Sequence, residues 1–290
     1  MSSEKQPIVS AVDGSPHSWT ALEWAAREAV RRGLPLTVVH VRPLTRRTVQ
    51  EEQLRESDDL LAEAVRRTAA VAPDLRPGTL APLDFPAAAL IALGRDAAMV
   101  VLGSRGLGGF RSLMLGSNSL AVASMATCPV VVAHSGRRDE NGTDGGGEPA
   151  GFPDIVAGVA ADETSDAVLD FAFTTADTRP GARLRVVHGW TMFSSMLAGG
   201  PVFDRDAAGN AVGRSLAELT AGWQSRFPGV EVVREPVSGS AGRTLVTASA
   251  TAALTVVGRR RGGESLGLGL SPVAQTTVTH ALGPVAVVPC

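Results

Sequence analysis

The stretch "GSRGLGGFRSLMLGSNSL" (103–120) decides both the fold and the place where a ligand could bind. It directly follows an apolar run, "MVVL" (99–102), which is typical of a buried strand. Glycines and serines recur in it, together with two arginines and no acidic residue, and "GSNSL" (116–120) opens a helical segment. This order predicts a strand, then a glycine loop, then a helix.

The same order of segments occurs twice along the chain. The segment "CPVVVAH" (128–134) resembles "GPVAVVP" (283–289) at an offset of 155 residues. Nearer the start, "IVSAV" (8–12) resembles "IVAGV" (155–159) at an offset of 147 residues. Self-similarity of this kind predicts two structural units of the same fold.

Short apolar runs alternate with helical segments in each half, which indicates a parallel sheet covered on both faces. The predicted fold class is therefore α/β, with two tandem, doubly wound, open parallel-sheet domains. The predicted strands are 8–12, 36–41, 78–83, 99–102 and 130–133 in the first half, and 155–159, 184–189, 230–236, 254–257 and 285–288 in the second.

We expect a first domain over 1–134, a linker over 135–153 and a second domain over 154–290. The linker is glycine-rich, charged and without periodicity, as flexible linkers are. Two insertions, 44–59 and 191–213, are the least predictable segments, and "LAGGP" and "AAGN" in the second one favour a mobile loop.

The first helix has clear signals at both of its ends. Ser15 is the expected N-cap and Pro16 the first helical residue. Gly33 is the expected end of this helix.

Composition excludes several classes of protein. The 290 residues include 27 basic and 29 acidic side chains, so a net charge of −2 gives no reason to expect nucleic acid or an anionic membrane as partner. Cys128 and Cys290 match no zinc spacing, and we expect a small buried thiol and a tail thiol. The segment "MSSEKQP" lacks a signal peptide's apolar core, and no stretch reaches the roughly 20 apolar residues of a membrane span. We therefore expect a cytoplasmic protein.

A glycine loop that leads into a helix start predicts an anion site, because the first amides of a helix lack partners and carry the positive end of its dipole. Arg105 and Arg111 add positive charge, and Gly108 and Gly109 keep the backbone bare. The alternative is that the loop merely connects a strand to a helix. The sequence contains no P-loop motif, and "DGSP" (13–16) after the first strand is not the dinucleotide-binding fingerprint.

Gly103, Gly106, Gly116 and Ser117 together form the pattern G-x2-G-x9-G-[ST]. This pattern is similar to the ATP-binding signature of the universal stress protein family. The opening "IVSAVDGSPHSWTALEWAA" and the closing "GSNSLAVASMATCPVVVAH" also resemble that family. The resemblance covers both halves and implies adenine nucleotide alpha hydrolase-like domains, with ATP bound in the first.

The resemblance implies a cofactor-binding site at eight positions. They are Asp13, Val41, Gly103, Gly106, Gly116, Ser117, Asn118 and Ser119. Asp13 would contact the adenosine and could assist a bound Mg²⁺, and the backbone of Val41 would meet the adenine edge. The glycines of the loop would shape it over ribose and phosphates, and the four residues from Gly116 would hold the phosphates. Considered alone, Asp13 is more typical of an Asx turn or a helix-entry residue, and His40 is typical of a satisfied, partly buried histidine.

The second half departs from this pattern. Gly258 corresponds to Gly103, but Arg261, Ser271 and Pro272 stand where the first half has Gly106, Gly116 and Ser117. Proline removes a backbone donor at the helix start. We therefore expect the second domain to bind ATP weakly or not at all.

The favoured function is an ATP-binding, regulatory stress-response protein with no catalytic and no metal-binding residues. The alternatives are an adenine-nucleotide-hydrolysing or nucleotidyl-transfer enzyme, for which His17 is the only candidate, and a nucleotide-independent scaffold. The apolar final strands, "PVVVA" and "PVAVV", could pair the two domains within one chain, and we expect a homo-oligomer such as a dimer.

Overall fold

The computed structural model describes residues 5–44, 50–106, 115–134, 153–160, 162, 164–190, 205–260 and 269–290. The chain divides into two compact units, Met1–Gly147 and Glu148–Cys290. Apart from residue 153, the expected linker lies outside the described residues. No helix within the described ranges is both long and apolar enough to cross a membrane.

The first unit contains parallel strands alternating with helices. In chain order these are β1 (Ile8–Ala11), α1 (Pro16–Arg32), β2 (Leu36–Val39), α2 (Gln50–Val71), β3 (Gly78–Leu80), α3 (Pro86–Leu93), β4 (Met99–Gly103), α4 (Ser117–Met125) and β5 (Val130–Ala133). The strands lie in the order β3-β2-β1-β4-β5, and every pair is parallel. The predicted α/β class is confirmed. The chain builds the sheet outward in one direction from β1 to β3 and then in the other direction from β4 to β5, and such sheets bind ligands at the point of reversal between β1 and β4.

The second unit repeats this plan. Its elements are β6 (Ile155–Gly158), α5 (Ser165–Asp177), β7 (Arg183–Trp190), α6 (Arg205–Arg226), β8 (Glu231–Ser238), α7 (Ala241–Ser249), β9 (Leu254–Arg259), α8 (Pro272–His280) and β10 (Val285–Pro289). The order is β8-β7-β6-β9-β10, again parallel. Ile155 pairs with Leu254 as Ile8 pairs with Met99, so the two offsets read from the sequence hold in the register.

The central strands are buried along their whole length. Every residue of β4 and β5 is buried, as expected of a parallel sheet that has helices on both faces. On α1, the carboxylate of Glu28 is fully buried and forms an ion pair with Arg32 at 2.6 Å. This ion pair compensates the buried charge for its loss of contact with water.

The predicted ends of α1 are confirmed. The hydroxyl of Ser15 accepts a hydrogen bond from the amide of Ser18 at 3.2 Å, and Pro16 is the first helical residue. Gly33 ends the helix with φ of 59°, a left-handed conformation that glycine adopts at little cost. The N-cap at Ser15 fixes the start of α1 close to the carboxyl end of β1.

Two insertions contain more helix than expected. Helix α2 covers residues 50–59 of the first insertion, and helix α6 covers residues 205–213 of the second, where the expectation of a mobile loop is wrong. Residues 45–49 and 191–204 lie outside the described residues. Tertiary packing explains α2, because its buried residues fall on one face; they are Ser57, Leu61, Ala64 and Thr68.

Several predicted strands are longer than the observed ones. Strand β2 ends at Val39, although His40 and Arg42 still donate amide hydrogen bonds to the carbonyls of Leu80 and Pro82, at 3.0 and 2.8 Å. The chain therefore runs on beside β3 without regular strand geometry.

Candidate functional site

An open cleft of about 290 Å³ lies in the first unit, lined by residues that follow β1 and β4 and by the start of α4. Seven of the eight predicted positions line it. They are Asp13, Gly103, Gly106, Gly116, Ser117, Asn118 and Ser119. Val41 is not among the described residues that line the cleft. The structure thus brings together residues about 90 to 105 positions apart in the chain, because β1 and β4 are neighbours.

The turn after β1 is organised by Asp13. Its Oδ1 accepts a hydrogen bond from the amide of Ser15 at 3.0 Å, which is the Asx turn that the residue alone would indicate. A Cβ placed on Gly106 would collide with the other oxygen, Oδ2, so that oxygen lies against the glycine loop. Asp13 therefore serves the turn with one oxygen, and the other lies beside Gly106, which also lines the cleft.

Gly103 allows a close approach between β4 and α1. A Cβ at this position would lie 2.7 Å from the carbonyl carbon and oxygen of His17 and 2.9 Å from the amide nitrogen of Ser18. These are backbone atoms, which cannot swing aside. Only glycine lets the end of β4 lie this close to the first turn of α1.

Two hydrogen bonds fix the start of α4 to the end of β4. The amide of Gly116 donates to the carbonyl of Ser104 at 2.8 Å, and the buried hydroxyl of Ser119 donates to the carbonyl of Gly103 at 2.8 Å. These donors hold the helix in place, so a ligand does not have them available. The first-turn amides of Ser117 and Asn118 have no intrahelical acceptor.

The start of α4 carries no side-chain cap from the described residues, because its N-cap position is Gly116. The side chains of Ser117 and Asn118 are exposed beside those amides. Unpartnered amides and the positive end of the helix dipole make this end of the cleft suitable for an anion.

Arg105 supplies the positive charge of the cleft, and Asp13 the negative charge, among the described lining residues. Arg105 is exposed, and its carbonyl accepts a hydrogen bond from the hydroxyl of Ser15 at 3.3 Å. The other predicted contributors of charge and bare backbone, Arg111, Gly108 and Gly109, lie outside the described residues.

Apolar side chains form the other wall of the cleft. Pro86 and Leu90 of α3 line the cleft together with Val12 and Leu102, and the motifs in the sequence do not identify either α3 residue. Pro86 begins the helix that follows β3. This helix start lies at the same edge of the sheet as the carboxyl ends of β1 and β4, so the proline could have indicated that α3 contributes to the site. The cleft can therefore hold a flat apolar group beside an anionic one.

In the corresponding region of the second unit, the described side chains bond one another. Asp162 forms an ion pair with Arg260 and also accepts hydrogen bonds from the amide and hydroxyl of Thr164, at 3.0 and 2.6 Å. Burial alone would raise the pKa of Asp162, but hydrogen bonds from Thr164 and Arg260 hold that pKa below its ordinary value.

Helix α8 of the second unit is capped from within the chain. The hydroxyl of Ser271 accepts a hydrogen bond from the amide of Ala274 at 3.2 Å, and Pro272 occupies the first position. Few donors therefore remain at this helix start. Arg261, which replaces Gly106 in the second half, lies outside the described residues.

Several other expectations concern histidine and cysteine. His40 bonds the carbonyl of Val12 through Nδ1 at 2.9 Å, and His188 bonds that of Val159 at 2.8 Å. The expected structural role of His40 is confirmed and occurs in both units. The expectation for Cys128 is also confirmed, since this free thiol is buried. Within the described part of the chain, no three His, Cys, Asp or Glu side chains are grouped to hold a metal ion.

Comparison with known proteins agrees with this architecture. A model of the Universal stress protein family matches the chain twice, over residues 5–134 and 151–289. A universal stress protein of Mycobacterium tuberculosis strain H37Rv is 34% identical over 300 residues, which cover 97% of this chain and 96% of the relative. Another from Mycolicibacterium smegmatis is 31% identical over 294 residues, with 97% and 96% covered.

Among solved structures, a universal stress protein from Archaeoglobus fulgidus has the same fold. Its TM-score is 0.72, at 18% identity, with 98% of each chain covered. The two family matches coincide with the two repeats described above. The chain therefore belongs to the universal stress protein family and contains two copies of the family's domain in tandem.

Proposed function

We propose that the first unit binds ATP in the cleft and that the protein acts as an ATP-binding regulator in a stress response. The observation that carries this proposal is the uncapped start of α4, whose first residues line the cleft together with apolar side chains and an exposed arginine. Membership of the universal stress protein family supports the same interpretation.

The chemistry of the cleft orients the nucleotide. The apolar wall of Pro86 and Leu90 suits the flat faces of adenine, and Asp13 suits a ribose hydroxyl. The amides of Ser117 and Asn118, together with Arg105, suit the phosphates. We extend the site to the backbone of Val41, as the family resemblance implies.

Gly103, Gly106, Gly116 and Ser119 have supporting roles in this proposal. They shape the loop and hold α4 in place, and the phosphates contact the residues between them. Mg²⁺ would accompany ATP, since this ion keeps most of its ligands as water and phosphate oxygens and needs at most a carboxylate such as that of Asp13.

The two domains have different roles in the proposal. The first, 1–134, carries the intact nucleotide site, whereas the second, 154–290, has a degenerate motif and supports the assembly. The apolar strands β5 and β10 each stand last in the strand order of their unit, and such strands invite pairing. We propose that they pair the two domains, that the protein assembles further as a dimer, and that it resides in the cytoplasm.

Mass spectrometry of the ligand released from freshly purified full-length protein tests this function. We expect ATP, or ADP derived from it, in wild type, and its loss in Gly116→Glu, which puts a carboxylate at the proposed phosphate end. Gly222→Glu is the matched control, because Gly222 lies on α6 with open space around its Cα. Retention of nucleotide by Gly116→Glu would contradict the proposed site.

Turnover distinguishes a regulator from an enzyme. We expect incubation with ATP to give no steady turnover and at most slow hydrolysis of the bound nucleotide. Steady release of ADP or AMP that His17→Ala abolishes would contradict the regulatory role and favour the enzyme.

A further inference from the structure

Ser15 and Asp162 occupy the same place in the two units. The amide of Ser18 donates to the carbonyl of Ser15 at 3.0 Å, and the amide of Ser165 donates to the carbonyl of Asp162 at 3.0 Å. Each residue stands in the turn between the first strand of its unit and the following helix. The two positions are therefore structurally equivalent, although one side chain is neutral and the other is an acid.

Arg105 and Arg260 are equivalent in the same way. Each lies two residues beyond a glycine, Gly103 or Gly258, and these glycines pair with Ala133 and with Val288 at matching registers. The turn after the first strand and the loop after the fourth strand thus bring together one pair of positions in each unit: Ser15 with Arg105, and Asp162 with Arg260.

The two pairs behave differently. In the second unit the carboxylate of Asp162 holds the guanidinium of Arg260 in an ion pair. In the first unit the hydroxyl of Ser15 reaches only the carbonyl of Arg105, at 3.3 Å, and accepts the amide of Ser18. The guanidinium of Arg105 is exposed at the cleft, and no carboxylate of the described residues forms an ion pair with it.

We propose that the residue at position 15 or 162 controls whether the arginine of its unit is available to a phosphate-bearing ligand. In the first unit, the neutral Ser15 leaves Arg105 available to phosphate oxygens. In the second unit, the carboxylate of Asp162 pairs with Arg260, so this arginine is not available to a phosphate-bearing ligand. This inference rests on the proposed function, because it assumes that a nucleotide binds the first unit. Ser15 does not itself line the cleft, so its role is to leave Arg105 free.

Exchange at position 15 tests the proposal without removing the helix cap. Serine, aspartate and asparagine are all strong N-cap residues, so Ser15→Asp and Ser15→Asn both keep α1 capped. In calorimetric titrations of the full-length protein with ATP, we expect Ser15→Asp to weaken binding at least about tenfold, as expected for a lost charge-assisted contact with phosphate. We expect Ser15→Asn to stay within about threefold of wild type.

A double-mutant cycle with Arg105→Ala separates capture of the arginine from simple repulsion of phosphate. If the introduced carboxylate acts by holding Arg105, then Ser15→Asp weakens ATP binding far less in the Arg105→Ala protein than in wild type. Thermal unfolding of each variant without nucleotide establishes that the fold is retained.

Two results would overturn the inference alone. The first is equal affinity of Ser15→Asp and Ser15→Asn for ATP. The second is a loss of ATP affinity on Ser15→Asp that is as large in the Arg105→Ala protein as in wild type. A wild-type protein that binds no adenylate at all would contradict the proposed function and this inference together.

Discussion

At the scale of single residues, the site depends on atoms that come too close for any side chain. Gly103→Ala would force its Cβ against the backbone of His17, at 2.7 Å in the present arrangement. We expect the free energy of unfolding to fall by about 1–3 kcal/mol, as is typical when extra atoms are forced into a packed site. Chemical denaturation followed by circular dichroism measures this change.

Gly116→Ala is the matched control for that substitution. A Cβ at Gly116 would make ordinary contacts of 3.6–3.7 Å with Ser104, Arg105 and Ser119, and φ there is −72°, which any residue adopts. We therefore expect no steric cost, and a loss of at most about 1 kcal/mol because alanine is a poorer N-cap residue than glycine. Equal losses of stability in Gly103→Ala and Gly116→Ala would show that the approach of β4 to α1 is not the reason for the first glycine.

At the scale of elements, two buried hydroxyls of α4 have different roles. The hydroxyl of Ser119 holds the helix in place, whereas that of Ser124 makes no hydrogen bond to the described residues. Ser119→Ala removes the bond to the carbonyl of Gly103 and should cost about 1–3 kcal/mol, because a buried acceptor is left without its donor. Ser124→Ala, on the same helix, removes a buried hydroxyl that has no hydrogen-bond partner among the described residues, and should be neutral or stabilising.

Denaturation midpoints of the two serine variants provide the comparison, and ATP titration provides a second one. Ser119→Ala should also weaken binding of ATP, since the amides of Ser117 and Asn118 lose their fixed position. If Ser124→Ala were the more destabilising variant, then the proposed anchoring of α4 would be wrong.

The elements show how far sequence reasoning extends. Capping residues and apolar periodicity predict α1 and the strands because the signals are local, as Ser15, Pro16 and Gly33 demonstrate. The start of helix α2 was obscured because Ser57, within the insertion, stands in the buried stripe of the helix, where an apolar residue is expected. The local pattern therefore understates how much of that insertion packs as a helix.

The candidate site shows the same limit. Its glycines and the polar start of α4 can be recognised from spacing alone. The use of the Gly116 amide and the Ser119 hydroxyl within the protein cannot, because it depends on how closely α4 lies to β4. The contributions of Pro86 and Leu90 likewise require the order of the strands.

At the scale of the whole molecule, the two units should differ in their response to acid. The pKa of Asp162 is lowered in the folded protein, so its interactions stabilise the fold above its ordinary value of 3.8 and are lost as the pH falls through the lowered folded value. Because Arg260 is largely exposed, we expect the ion pair itself to contribute at most about 1 kcal/mol.

Comparison of wild type with Asp162→Asn measures this contribution. We expect the variant to unfold at a lower temperature at pH 7, and the difference to shrink as the pH is lowered below about 4. Asparagine keeps an oxygen that can accept from Thr164, so the change removes the charge and the oxygen that accepts from Arg260. A difference that stays constant down to pH 2 would contradict the role of the carboxylate charge.

The most direct test of the central claim is the stoichiometry of ATP binding to the full-length protein, measured by isothermal titration calorimetry after removal of any co-purified nucleotide. One site per chain that is lost in Gly116→Glu is the predicted result. Two equivalent sites per chain, or no heat of binding with ATP, ADP or AMP, would contradict a nucleotide held by the first unit alone.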